Sequence, residues 1–354
     1  MATVTVSCAL HSIGDRHVCN FRYQLVFAAI DFMLSLGVLT FVLCAWMSYT
    51  TLAVVLRRRA RRRGRQALRG KTVLITGASS GLGMALACRF YGLGCKVLLA
   101  ARNVDKLQKL RDELMSATAV STDDHSKSPE PLCYYLDLSR PDSVLDTCRK
   151  ILAENENVDV VVNNAGVSVR ANCLDTTLDV HRYMMEVNYF GHVALTQAMT
   201  EHMVGRRPSS DSRDIRGRFI CIGSVQGLFS IPHRSAYAAS KHAFQAYFDC
   251  FRAEMTTDNI HVLFVSPGYI KTNLSANALT GDGGKYNKVD SGEEHGADPD
   301  VVASRVIDAF LDDKEELIVA PAIAKVAMYM RYLLPHYFFK VMARRALKEE
   351  KKTT

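Results

Sequence analysis

The sequence holds ten cysteines, yet it lacks the patterns that cysteines form in metal and disulfide-exchange sites. No two of them form Cys-x-x-Cys, and no Cys/His cluster has the spacing of a zinc ligand set. We therefore predict no metal site. Several cysteines stand in apolar runs, such as Cys221 between Ile220 and Ile222. That placement is typical of small buried side chains and indicates a reducing compartment.

Net positive charge is confined to one segment. The formal net charge is +8, but residues 57–71 hold eight arginines, one lysine and no acid, so the rest of the chain carries −1. No basic groove with interleaved aromatic residues is evident, which argues against a nucleic-acid partner. Glycine and proline contents are ordinary, which argues against a fibrous or disordered chain.

Charge is absent altogether from Phe32 to Leu56, a run of 25 residues. About 20 apolar residues suffice to cross a bilayer. A cleaved signal peptide would be shorter and closer to the amino terminus, and a buried core helix is the other alternative. We predict a transmembrane anchor at 25–56 after a short tail at 1–24, with Asp31 marking its amino edge.

The charges that flank this run predict its orientation. Only Arg16 and Arg22 precede it, whereas the basic segment 57–71 follows it. The excess of Lys and Arg on the cytoplasmic side of membrane proteins places the following domain in the cytosol. The same segment can also contact anionic lipid. The triplet that begins at Asn273 is a glycosylation acceptor that only a lumenal domain would expose.

A glycine turn follows the first apolar run of the main domain. Residues 71–76 read as a buried strand, Gly77, Gly81 and Gly83 follow, and a helical pattern begins at Met84. In a strand–turn–helix unit, such glycines let the backbone approach a pyrophosphate at the helix amino end. The order Gly-x-x-x-Gly-x-Gly predicts a dinucleotide site here.

The next strand, residues 96–101, ends at Arg102 with no acid in positions 97–102. An acid there would bond the ribose hydroxyls of NAD, whereas an arginine suits the 2′-phosphate of NADP. We therefore favour NADP(H) without excluding NAD(H); a solvated loop arginine is the alternative. Asp137, after the third strand, is expected near the adenine or serves as a helix cap.

A phenol and an amine are paired at Tyr237 and Lys241. Residues at i and i+4 lie on one face of a helix. A nearby ammonium favours the phenolate, so the pair can exchange a proton with an alcohol or a carbonyl. Ser224, thirteen residues before the tyrosine, ends a strand and can hold the substrate oxygen. An exposed helix pair without function is the alternative.

Strands and helices alternate along the main domain. Runs at 71–76, 96–101, 133–136, 158–162, 218–223 and 317–320 read as strands, with helices between them. This alternation predicts an α/β fold with a doubly wound parallel sheet of the Rossmann type, preceded by one transmembrane helix. We assign the catalytic domain to 72–320 and an apolar, basic extension to 321–354.

Five motifs occur in order along this domain, and together they resemble the short-chain dehydrogenase/reductase family. They are Thr76-Gly-Ala-Ser-Ser-Gly-Leu-Gly83, Asn163-Asn-Ala-Gly166, Ser224, Tyr237-Ala-Ala-Ser-Lys241 and Pro267-Gly268. The likeness covers about residues 70–315. The segments Asn188-Tyr-Phe-Gly191, Ile231-Pro-His-Arg-Ser-Ala-Tyr237 and Thr272-Asn-Leu274, together with the anchor, resemble a membrane-anchored group within the family. That resemblance implies the endoplasmic reticulum or peroxisomes and reduction of acyl- or alkyl-dihydroxyacetone phosphate.

The resemblance also implies roles for single residues. Ser224, Tyr237, Lys241 and Asn188 correspond to a catalytic tetrad in which Asn188 holds a proton-relay water; a polar residue at a helix kink is the alternative. Asn164 steadies the central strands, and Ile270 and Thr272 contact the nicotinamide amide. The predicted cofactor-binding residues are Thr76, Gly77, Ser79, Ser80, Gly81, Leu82, Gly83, Arg102, Asp137, Asn164, Ala165, Gly166, Tyr237, Lys241, Pro267, Gly268, Ile270 and Thr272.

Two segments near the carboxyl end have an open role. Residues 273–297 are glycine-rich and read as a mobile loop that either closes over substrate or is disordered. From 321 the chain is apolar and aromatic with interspersed bases, and Pro335 breaks any single helix. This extension packs on the domain, packs on a partner in a homodimer, or lies on the membrane as a lid.

We expect an enzyme that uses NADPH to reduce a carbonyl of a lipid-like substrate at the bilayer. Oxidation of a steroid or retinoid alcohol is the first alternative, since such reactions are reversible. A membrane scaffold without activity is the second, and the complete tetrad argues against it.

Overall fold

The structure is a computed structural model that describes residues 33, 36–37, 40–119, 128–206 and 215–353. The predicted tail at 1–24 and Asp31 lie outside the described residues. The chain divides into two units, residues 1–60 and 61–354.

Helix α1 (Thr40–Ala67) is the one helix in the described part of the chain that is long and apolar enough to cross a membrane. None of its apolar stretch is buried within the protein. The helix does not stop at residue 56, where the predicted anchor ends, but continues through the basic residues to Ala67.

The second unit begins within the basic segment. Arg61 forms a bidentate pair with Asp312, with Nε and Nη2 at 2.6 and 2.7 Å from the two carboxylate oxygens. It also contacts Asp308 at 2.9 Å. Leu68 is buried in the core of this unit. Part of the basic segment is therefore bound to the domain by ion pairs and apolar packing.

Strands and helices alternate through the second unit as the sequence predicts. The elements are β1 (Thr72–Thr76), α2 (Gly81–Gly92), β2 (Lys96–Ala101), α3 (Val104–Ala119), β3 (Leu132–Tyr135), α4 (Pro141–Glu154), β4 (Val160–Asn163), α5 (Leu178–Met185), a π-helical turn (Glu186–Phe190), α6 (Gly191–Gly205), β5 (Gly217–Ile222), a 3-10 turn (Val225–Gly227), α7 (Ser235–Glu254), β6 (Ile260–Pro267), α8 (Ser291–Glu294), α9 (Pro299–Leu311), β7 (Glu316–Val319), α10 (Ala322–Leu333) and α11 (Pro335–Thr353).

The seven strands form one parallel sheet in the order β3-β2-β1-β4-β5-β6-β7. The predicted doubly wound Rossmann fold is therefore confirmed. The six predicted strands lie within two residues of their expected bounds, and β6 is additional to them. Central strands such as β1 and β4 are buried throughout, because helices cover both faces of a parallel sheet.

The strand order reverses between β1 and β4, and open α/β sheets bind ligands at such a point, beyond the carboxyl ends of the strands. Two apolar cores pack against the sheet, one on each face. The first packs α2, α3 and α9 against the sheet, and the second packs α4, α6 and α7.

The glycine-rich segment 273–297 is packed against the domain, although its composition predicts a mobile loop. Ser275 and Ala278 are fully buried. The Leu279 amide donates to Ser168 O, and the Arg170 amide donates to Leu279 O, each at 2.8 Å. Periodicity could not reveal these bonds, because the partner strand segment lies more than 100 residues earlier in the chain.

Candidate active site

Ser224 lies where β5 ends. It caps the 3-10 turn that follows, and its Oγ accepts from the Gln226 amide at 3.1 Å. A Cβ atom at residue 223 would lie 2.4 Å from the Phe264 ring, so the packing here requires glycine. The capped turn and the glycine together hold the Ser224 hydroxyl at the carboxyl edge of the sheet.

Tyr237 lies in the first turn of α7 and Lys241 one turn later, and both are buried. The Lys241 Nζ donates to Ile222 O at 3.0 Å, which brings the amine to the end of β5, next to Ser224. The structure thus brings together the serine, phenol and amine that the sequence separates.

Burial dominates the electrostatics of this trio. It raises the pKa of Tyr237, while a hydrogen bond with Ser224 and the charges of Arg170 and Arg234 lower it. Burial also lowers the pKa of Lys241 to about 8. The sequence predicts a lowered phenol pKa beside the ammonium, but burial outweighs the opposing effects and the net shift of the Tyr237 pKa is upward.

Asn188 lies in the π-helical turn between α5 and α6. Its Oδ1 accepts from the Val167 amide, and its Nδ2 donates to Val167 O, both at 2.9 Å. The same Nδ2 donates to Ser240 Oγ at 3.0 Å. A side chain at Gly166 would lie 3.2 Å from Asn188 Oδ1 and 3.6 Å from Lys241 Nζ. Asn188 therefore ties the segment after β4 to α7, close to the amine.

The glycine turn between β1 and α2 has the geometry of a phosphate cradle. Gly77 and Gly81 have φ values of +65° and +56°, a region that side chains disfavour. A Cβ at Gly83 would meet the Gly77 carbonyl oxygen at 2.3 Å. Because residue 83 packs so closely on Gly77, the first backbone amides of α2 lie beside the end of β1. Free amides at a helix amino end attract an anion.

Asn164 and Thr76 join the ends of β4 and β1. The Asn164 Nδ2 donates to Thr76 O at 2.9 Å, and its backbone amide donates to Thr76 Oγ1 at 2.9 Å. The Ala165 amide donates to the same hydroxyl at 3.1 Å. These bonds fix the two strand ends on either side of the switch point.

Arg102 and Asp137 lie at the ends of β2 and β3. The Arg102 Nη1 donates to the Tyr183 hydroxyl at 2.9 Å. The Asp137 carboxylate accepts from the amide and hydroxyl of Ser139, at 3.1 and 2.8 Å, so it also caps its own turn. Lys106, which sequence reasoning missed, adds a second cation near Arg102 along the same cavity.

One cavity of about 960 Å³ connects these groups, at the upper end of the size of small-molecule sites. All the predicted site residues line it except Gly83 and Asn188, which lie behind its wall. It reaches from the glycine turn, past Ser224 and Tyr237, to α10 and α11.

Four largely buried charged residues beside the cavity were not predicted from the sequence. Arg170 and Arg234 both pair with Asp290, at 2.7 and 2.6 Å from the same oxygen. Glu293 accepts from Thr272 Oγ1 at 2.8 Å and from the Ser275 amide at 3.0 Å. None belongs to a local motif, since their partners are distant along the chain or lie in the glycine-rich segment.

The residues present fit a dinucleotide. The cradle excludes a side chain at Gly83, its helix amino end faces the cavity, and cations line the cavity beyond β2. Thr272 packs against the glycine turn, since a Cβ at Gly81 would lie 2.9 Å from the Thr272 methyl group. The phosphates would lie at the cradle and the nicotinamide beside Tyr237.

Comparison with known proteins decides the family. The model of the family described as short chain dehydrogenase matches residues 71–282. The chain belongs to the short-chain dehydrogenase/reductase family. It is 46% identical over 283 residues to a Dehydrogenase/reductase SDR family protein 7-like from Anopheles gambiae, covering 79% of this chain and 84% of the relative. With Dehydrogenase/reductase SDR family member 7B from Danio rerio it shares 44% over 298 residues, covering 84% and 93%.

Solved structures agree with this assignment. An alcohol dehydrogenase from Thermococcus sibiricus, complexed with 5-hydroxy-NADP, matches with a TM-score of 0.57 and 27% identity over 71% of this chain and 96% of its own. A family member from Burkholderia phymatum in complex with NAD has a TM-score of 0.62 at 20% identity, covering 75% and 94%, and shows the shared fold. The resemblance seen in the sequence is confirmed, and the protein is an NAD(P)-dependent oxidoreductase of this family.

Proposed function

We propose that this protein is a membrane-anchored reductase that uses NADPH to reduce a carbonyl of a lipid-like substrate. One observation carries the proposal. The cavity that holds the glycine turn and Tyr237 continues between apolar side chains of the extension, among them Met330, Phe338 and Met342. A substrate with an apolar chain would place its carbonyl at Tyr237 and its chain against this wall.

Each side chain of the site has a separate role in the reaction. A nicotinamide held beside Tyr237 would supply a hydride to the carbonyl carbon. The Ser224 hydroxyl and the Tyr237 phenol hold the carbonyl oxygen, and Tyr237 gives it a proton, so that an alcohol and a phenolate result. The Lys241 ammonium stabilises the phenolate, and Asn188, bonded to Val167 and Ser240, positions the segment beside Lys241 through which a relay water would return a proton to the phenol.

The cofactor end of the cavity supports NADP(H) over NAD(H). Arg102, directly after β2, and Lys106, in the first turn of α3, line it, and two cations suit a 2′-phosphate. No acid stands in positions 97–102 to bond the ribose hydroxyls. Related structures contain either cofactor, so the preference rests on these side chains.

The substrate class rests on the apolar wall and on two bases. Lys285 and Arg345 line the cavity together with the apolar residues of α10 and α11. An acyl- or alkyl-dihydroxyacetone phosphate carries the matching groups, namely a chain, a ketone and a phosphate. Oxidation of a steroid or retinoid alcohol is the second candidate, because the same apolar wall suits a rigid hydrocarbon and the chemistry is reversible.

The membrane assignment rests on α1 and the charges that follow it. We place the protein as a single-pass protein of the endoplasmic reticulum or peroxisomes with its catalytic domain, residues 72–320, in the cytosol. A homodimer is part of this proposal. Within the second unit, Arg61 is paired with Asp308 and Asp312, at the carboxyl end of α9.

The decisive experiment follows NADPH oxidation by the purified full-length chain with palmitoyl-dihydroxyacetone phosphate. Turnover should be lost in Tyr237→Phe and kept in Tyr135→Phe, a matched change at an exposed tyrosine on the far edge strand. NADPH binding, followed by fluorescence, should persist in all three proteins. Binding without turnover in the parent protein would contradict this substrate, and steroid and retinoid alcohols with NADP would be tried next.

A further inference from the structure

The last two helices expose apolar side chains on a scale that the rest of the domain does not require. Helix α10 contains no buried residue. Ile323 and Leu333 are 75% and 74% exposed, and Tyr329 and Tyr337 are 61% and 60% exposed. Phe338 is the one buried side chain among the described residues 322–349. Contiguous apolar surface of this kind marks an interaction site in soluble domains.

The same helices form the opening of the cavity. Ile323, Val326 and Val341 line the cavity, yet each is also largely exposed, so they lie at its rim. Leu274, from the loop after β6, likewise lines the cavity and is exposed to solvent. The cavity therefore opens through an apolar rim that is continuous with the exposed face of α10.

The charge of this surface is mostly positive, and its acids, Glu349 and Glu350, stand near the end of α11. From Pro321 to Lys348 the chain contains six basic residues and no acid. Tyrosines stand among the aliphatic residues, and amphipathic side chains of that kind favour the interface between lipid and water. Helices with one apolar face and a basic polar side lie in the surface of anionic bilayers.

A bilayer fits this surface better than a second copy of the chain. The chain carries α1, a helix suited to crossing a membrane, so the domain stays close to lipid. Tethering raises the effective concentration of the membrane, and weak contacts then suffice. In a two-fold dimer the same patch would face itself, and its basic residues would oppose one another.

We propose that the exposed face of α10 and α11 lies on an anionic bilayer, and that the apolar rim admits a ligand directly from the lipid phase. Entry of a ligand through the rim rests on the proposed function, whereas contact of the two helices with the bilayer is inferred from their exposed surface alone. The two helices are then a second membrane contact in addition to α1, and they border the site itself.

The test uses full-length protein in nanodiscs of phosphatidylcholine and phosphatidylserine with brominated acyl chains. Trp46, the single tryptophan, is replaced by Phe, and a reporter is introduced as Tyr329→Trp, Tyr337→Trp or, as control, Tyr135→Trp. Tyr135 is 51% exposed on β3, at the opposite edge of the sheet from β7. We expect blue-shifted emission and several-fold stronger quenching at 329 and 337 than at 135.

A charge variant separates lipid contact from protein contact. Leu333→Glu with Leu347→Glu should weaken quenching of the Trp reporter at 337 without changing the melting temperature, because both leucines are exposed and neither lines the cavity. Unquenched reporters at 329 and 337 that iodide reaches freely would overturn the proposal. Blue-shifted, unquenched reporters with cross-links between chains would also overturn it and would assign the surface to a dimer. No turnover is measured, so these outcomes are independent of the proposed reaction.

Discussion

Arg170 and Asp290 are 120 residues apart in the chain, yet Arg170 Nε lies 2.7 Å from Asp290 Oδ2 in a largely buried ion pair. Arg234 contacts the same oxygen at 2.6 Å. Arg234 precedes α7 directly, and Tyr237 follows in the first turn of that helix. The carboxylate therefore fastens the glycine-rich segment both to the segment after β4 and to the start of the catalytic helix.

Replacing Asp290 by Asn should affect both stability and the pH profile. Removing one partner of a buried ion pair costs about 3–5 kcal/mol, so the melting temperature should fall. The variant also leaves two cations near Tyr237 without their counter-ion. Because those cations lower the phenol pKa, the alkaline limb of kcat/KM should move to lower pH. Glu294→Gln, an exposed change in the same segment, is the control.

Two results would separate structure from chemistry at this ion triad. A lower melting temperature with an unchanged pH profile would restrict the triad to holding the loop. Asp290→Glu keeps the charge, so it should restore the parental alkaline limb even where the longer side chain lowers stability.

The phosphate cradle predicts a contrast between two glycines on one helix. Gly83→Ala would place a methyl group 2.3 Å from the Gly77 carbonyl oxygen, whereas Gly92, the last residue of α2, has open space. Overpacking costs typically about 1–3 kcal/mol, so Gly83→Ala should unfold earlier in urea and lose NADPH affinity. Gly92→Ala should match or slightly exceed parental stability. Equal NADPH affinity in both variants would contradict the prediction that the glycine turn binds the cofactor phosphates.

The pKa of Lys241 predicts how reduction depends on pH. Burial lowers this pKa to about 8, so the ammonium predominates below that pH and is lost above it. If the ammonium supports Tyr237, kcat/KM for the carbonyl substrate should be level near neutrality. Above about pH 8 it should fall about tenfold per pH unit, as expected for loss of one proton. A plateau that extends to the ordinary lysine value of 10.5 would contradict this role.

The cofactor preference predicts the effect of removing one cation. Arg102→Ala should weaken NADPH binding by about tenfold to a hundredfold, the loss of a charge-assisted hydrogen bond, and change NADH binding little. Titrations of both cofactors, monitored by fluorescence, measure the ratio. Arg111→Ala, on α3 and away from the cavity, should leave both affinities unchanged. An equal loss for both cofactors would instead assign Arg102 a structural role through Tyr183.

Local sequence sufficed for the strands and for the glycine turn. Runs such as 72–76 and 160–163 are mostly apolar, and each is buried at every position, as a parallel strand covered on both faces requires. The glycine turn is recognisable in the sequence because Gly77 and Gly81 adopt positive φ, a local backbone demand, although the atoms that crowd them belong to Ala165 and Thr272. Tyr237 and Lys241 shared a helix face by spacing alone.

The tertiary structure decided everything that depends on distant partners. Burial of Tyr237 reverses the shift that an adjacent ammonium predicts, because desolvation outweighs the nearby charges. The Arg170–Asp290–Arg234 triad, the bond from Thr272 to Glu293 and the cavity wall from α10 and α11 join segments that no periodicity relates. The sequence by itself determined the strand runs, the glycine turn and the order of the catalytic groups, since those depend on short-range sterics and hydrophobic pattern. Only the packed fold decided their charge environment and the opening of the site, since both depend on which distant side chains exclude water.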